Sequence, residues 1–165
     1  MTPEEARAAL LAVGLPATTI LRALRSQIKL SDFVLSRVVG RSAQTVRRWR
    51  SGGDDIEIPD QAAAAIDDLR AITAMLLRAE FDGATIKSFL LSRNTGLGQD
   101  RPLDGVRAGL SAFRRVEHVT ECFIVGAAPE PGSALDIHDG EEFEPALVEP
   151  PVEPDLPHEP VSTRN

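Results

Sequence analysis

At 165 residues the chain has room for one domain and a tail. No run of about 18 apolar residues occurs, so no membrane span is expected, and the single cysteine, Cys122, rules out an intramolecular disulfide. The net charge of −7 argues at first against a nucleic-acid partner, and with only 4% aromatic residues the core must rest on Leu, Ile, Val and Ala.

The opening MTPEEARAALLAVGLP carries two early glutamates and does not look like a secretory signal. A cytoplasmic protein is expected. Thr2 is an N-cap, Pro3 fits a first turn and Glu5 completes a capping box, so the first helix starts there and ends before Gly14 and Pro16. A second helix is predicted over 17–27, with Ile20, Leu21 and Leu24 inward and Arg22 and Arg25 outward. Ser31 caps a third helix. Its expected core residues are Phe33, Leu35 and Val39, and Gly40 supplies the positive φ that a sharp turn favours.

Ser42 then caps a basic helix, AQTVRRWRS, stopped by Gly52 and Gly53. Ile58-Pro59-Asp60 begins a long helix over about 60–80 with an Ile66, Leu69, Ile72, Met75, Leu76 stripe. Asp67, Asp68 and Arg70 fall outside that stripe. A stripe this long needs a partner, supplied by the later segments or by a second subunit. Asp82-Gly83 is a turn, Thr85–Leu91 a short helix, and SRNTGLG a loop. Another short helix opens at Arg101-Pro102-Leu103, and a last one spans Leu110–Ile124 with Phe113, Val116, Val119 and Phe123 on one face. No β-strand is predicted, so the fold class is all-α. From Ala127 the chain is acidic and holds eight of the twelve prolines, a composition that predicts disorder.

The charge is unevenly placed. Residues 1–53 carry nine Lys/Arg against three acids. Residues 127–165 carry one basic and ten acidic residues. The basic helix therefore lies in the one basic part of the chain, as attraction to phosphate requires. Val46 and Trp49 face inward, and Gln44, Arg47 and Arg48 face out. Arg pairs bidentately with guanine and Gln with adenine, so this face suits the major groove. Ser42, Ala43, Gln44, Arg47, Arg48 and Arg50 are the candidate DNA contacts; the competing reading is a solvated helix face. Trp49 is read as a core residue and not as a stacking platform.

Two blocks, the helix-turn-helix at 31–52 and IKSFLLSRNTGLGQDRPLDGVRAGLSAFRRVEHV at 86–119, together resemble the Xre/MbcA/ParS-like antitoxins. The segment IPDQAAAAIDDLRAI between them resembles the linker helix of that family, so the resemblance covers roughly 17–125. Phe89 and Gly105 stand where the family usually has Trp and Leu. The resemblance implies a DNA-binding domain over 1–58 and a helical toxin-binding and dimerisation domain over 59–126; the acidic, Pro-rich tail over 127–165 follows from composition and extends past the usual end of such antitoxins. It also implies a cognate toxin of the RES fold, which depletes NAD, and autorepression at an operator in double-stranded DNA. On the same basis Asn94, Leu97, Arg101, Pro102, Arg114 and Arg115 are the candidate partner contacts. Against this, Asn94 and Gly96 shape a turn and Pro102 starts a helix.

His118 and Cys122 lie four apart on a helix, but a zinc site normally needs three or four protein ligands. No metal, cofactor or catalytic residue is expected, and no phosphate loop, nucleophile elbow or paired carboxylate is seen. The expected function is an antitoxin and repressor, acting as a homodimer or larger. The alternatives are a dimeric helix-turn-helix regulator without a toxin and an adaptor that works through its acidic tail. Arg41, where an apolar residue is common after the turn glycine, weighs slightly toward the adaptor.

Overall fold

Local capping sets most of the helix boundaries. In the computed structural model, which describes residues 1–52, 56–107 and 109–126, the order is α1 (Pro3–Leu11), α2 (Ala17–Gln27), α3 (Asp32–Val39), α4 (Ala43–Ser51), α5 (Asp60–Arg78), α6 (Gly83–Leu91), α7 (Pro102–Arg107) and α8 (Leu110–Val125). A short 3-10 turn, Thr95–Leu97, lies between α6 and α7. No strand occurs among the described residues. The tail at 127–165 and Gly53 lie outside them.

Thr2 and Glu5 form the reciprocal capping box at α1, and the Ser31 and Ser42 hydroxyls accept from the Val34 and Thr45 amides. Asp82 does the same for Thr85 at 2.7 Å, which starts α6 at Gly83, two residues before the expected Thr85. Gly40 ends α3 at φ 64°, in the left-handed region, and its amide donates to the Ser36 carbonyl.

α5 is the central element. It packs against α1, α2 and α3 and also against α6, α7 and α8. Ile66, Leu69, Ile72, Leu76 and Leu77 are at most 1% exposed, so the long stripe is covered within one chain and is not a free subunit face. The apolar core runs without a break from Ala6 to Val119. The boundary expected at 58 thus separates two groups of helices that share one core.

Four expectations about facing change. Phe33, expected in the core, is 68% exposed, while Leu35, Val38 and Val39 are buried. At about 100° per residue, Phe33 sits roughly 200° around the helix from Leu35. Arg70, expected outside the stripe, is 5% exposed and ion-paired with Asp67. Six helices contact α5, so its buried face is wider than that of an ordinary surface helix and takes in Arg70. Arg22, expected outward, reaches from α2 to the carbonyls of Arg50 and Gly52. A cation there satisfies orphan carbonyls and offsets the negative end of the α4 dipole. Phe123 remains 37% exposed, although its ring lies 5.2 Å from that of Phe81 and 4.6 Å from that of Phe89.

At Gly83 the start of α6 lies against the backbone at the end of α2. A β-carbon built on it would lie 2.2 Å from the Gln27 carbonyl oxygen, a backbone atom. Gly83→Ala is expected to cost about 1–3 kcal/mol, because the end of α2 and the start of α6 must part. Urea denaturation measures this, as a lower midpoint with an unchanged slope.

Candidate nucleic-acid interface

α4 is a short helix with two faces of opposite character. Val46 is 0% and Trp49 3% exposed, held against α2 and α3. Gln44, Arg47 and Arg48 are exposed, and Ala43 and Thr45 are half-buried beside them. Ser42, Gln44, Thr45, Arg47, Arg48 and Ser51 line an open concavity of about 450 Å³. The Ser42 hydroxyl is also 2.9 Å from the Thr45 hydroxyl, a hydrogen bond that helps to fix the capping side chain. The turn from α3 is Gly40-Arg41-Ser42, three residues that fix the angle at which α4 leaves the core.

Arg50 differs from its neighbours. Its guanidinium is bidentate on Asp32, with Nε to Oδ1 at 3.0 Å and Nη2 to Oδ2 at 3.2 Å. It is thereby committed to joining α4 to the start of α3. Arg47 also approaches Asp32, at 3.5 Å, but stays 73% exposed, so that contact is screened and weak. Arg47 and Arg48 keep their charge at the surface, whereas the Arg50 charge is largely neutralised.

The hydrogen-bonded Arg50 guanidinium, more than any other cause, holds the Asp32 carboxyl below the ordinary carboxylate range, against the opposing effect of burial. A depressed carboxyl contributes stability that is present above its unfolded pKa and lost as pH falls through the folded value. Asp32→Asn is therefore expected to cost about 1–3 kcal/mol at neutral pH. The gap from wild type should shrink as pH falls below the ordinary aspartate value. Chemical denaturation at a series of pH values reads both effects.

The residues implied as partner contacts are divided between internal and surface positions. The Asn94 side chain accepts from the Gly96 amide at 2.8 Å, and its backbone carbonyl accepts from Leu97 and Gln99. Asn94 therefore closes the loop. Leu97 packs on the core and Pro102 is buried at the start of α7. Arg101 is half-buried, and its carbonyl accepts from Asp104 and Gly105. Arg114 and Arg115 are exposed on the first half of α8. His118 and Cys122 approach to 3.8 Å, and no group of three potential metal-ligating side chains occurs among the described residues.

Three residues next to α4 escaped the sequence pattern. Asp32, Arg22 and Arg107 all reach this region from other helices. Arg107 of α7 donates to the Arg37 carbonyl at 3.4 Å, and its guanidinium lies beside Gly40. No spacing rule finds such a pair, because Arg107 and Arg37 are 70 residues apart.

Among the described residues no helix is long and apolar enough to cross a membrane. Comparison with protein families, with curated proteins and with solved structures finds no match to this chain.

Proposed function

We propose that this chain is a DNA-binding antitoxin that also represses its own operon. In this account α3 and α4 act as a helix-turn-helix, α4 enters the major groove of operator DNA, and residues 86–119 receive a protein toxin. The observation that carries the DNA half is the exposed Gln44/Arg47/Arg48 face on a helix whose opposite face is buried through Val46 and Trp49. Arg48 is exposed, and Arg47 is 73% exposed with a screened 3.5 Å contact to Asp32, so both guanidiniums are accessible for bidentate pairing with guanine. The toxin half is supported by the resemblance at 86–119, which points to a RES-fold, NAD-depleting partner. Arg114, Arg115 and the half-buried Arg101 are its candidate charged contacts. The protein works in the cytoplasm as at least a dimer, since two half-sites raise affinity through effective concentration. Its own role is binding, without catalysis.

One observation favours a second account, a dimeric regulator with no toxin. Asn94, Leu97 and Pro102 serve the loop and the core, so their presence in the sequence needs no partner to explain it. Co-expression with the neighbouring reading frame separates the two. Restored growth and co-purification with that product support the antitoxin. Persistent toxicity despite soluble, folded protein leaves the regulator.

A further inference from the structure

The basic surface next to α4 does not end with α4. A cavity of about 220 Å³ lies beside the α3–α4 turn, lined by Val38, Gly40, Arg41, Gln61, Ala65 and Arg107 among others. Two of these are arginines from distant parts of the chain. Arg41 is exposed and directly precedes Ser42, the cap of α4. Arg107 is exposed on α7, and a β-carbon on Gly40 would sit 3.5 Å from its Nη2. Neither arginine has an acidic partner among the described residues. Arg37, close by, differs: it is paired with Asp104 at 3.2 Å. Uncompensated guanidiniums at a concave surface suit a phosphate oxygen pair, to which the planar fork donates twice. The lining is aliphatic apart from Arg41, Gln61 and Arg107, so the two charges set the chemistry of the cavity.

We propose that Arg41 and Arg107 together receive a backbone phosphate of the duplex whose major groove α4 occupies. The proposal rests on the DNA-binding account above and extends it, since it draws α7, outside residues 1–58, into the DNA footprint. A phosphate contact positions α4 without reading sequence. It therefore affects specific and scrambled duplexes alike.

The test is fluorescence anisotropy with a labelled duplex from the protein's own upstream region and a scrambled one, across about 50–200 mM salt. The double variant Arg41→Gln, Arg107→Gln is expected to bind both duplexes about threefold to tenfold more weakly at low salt. Its slope of log affinity against log salt should be shallower by about 0.9, the value for one lost phosphate contact. Asp104→Asn removes a negative charge next to the cavity and frees Arg37, so it should bind more tightly; loss of a merely structural contact would not tighten binding. If wild type binds and the double variant matches it in affinity and slope, the proposal is overturned while the α4 account stands. Weaker binding with an unchanged slope and a lowered thermal transition also overturns it, because Arg107 would then act only by holding the Arg37 carbonyl. If wild type binds neither duplex, both the proposal and the DNA account fall.

Discussion

Leu69→Ala is expected to destabilise the whole protein by about 2–5 kcal/mol and to lower a single unfolding transition. Leu69 is 0% exposed on the helix that contacts both groups of helices, so truncation leaves a cavity in the shared core. The surrounding helices can close such a cavity only in part, and the residual void adds to the lost transfer free energy. Trp49 is the only tryptophan and is buried on α4, so its fluorescence reports the helices before α5. Far-UV circular dichroism reports the helices as a whole. Both signals should move to lower denaturant together. A Trp49 transition that stays in place while the helical signal shifts would contradict a continuous core.

The double variant Arg47→Ala, Arg48→Ala is expected to lose about 2–4 kcal/mol of DNA affinity, roughly 30- to 1,000-fold, on the protein's own upstream region. Both side chains are exposed, and among the described residues the one ion pair lost is the 3.5 Å contact of Arg47 with Asp32. The fold should therefore keep its thermal transition, which separates this variant from Asp32→Asn and Leu69→Ala. Filter binding or anisotropy measures the affinity, and undiminished binding would remove α4 as the recognition helix.

The parts of this structure that were legible in the sequence are those fixed by local chemistry. Thr2 with Glu5, Ser31 and Ser42 each satisfy an amide within three residues, so their helix starts follow from neighbouring residue types. Val46 and Trp49 were legible for a related reason: their spacing on α4 gives one buried face. What was hidden depends on the third dimension. Arg22 and Arg70 read as outward from their sequence positions, yet long side chains can bury their stems while the head finds a partner. Arg22 finds the end of α4 and Arg70 finds Asp67. Phe33 reads as inward from its residue type, against its own helical phase. In the candidate interface, Gln44, Arg47 and Arg48 were legible from periodicity, but the commitment of Arg50 to Asp32 was not, since it depends on how α3 and α4 cross. Arg107 was beyond reach because α7 meets α3 only through tertiary packing.

Dimethyl sulfate protection tests whether α4 reads base edges in the major groove. The reagent methylates guanine N7, the atom an arginine fork covers when it pairs with that base. On a duplex from its own upstream region, the wild-type protein should protect a small set of guanines. The Arg47→Ala, Arg48→Ala variant should protect none at concentrations that saturate wild type. Saturated binding by the wild-type protein with every guanine N7 still fully reactive would contradict the account.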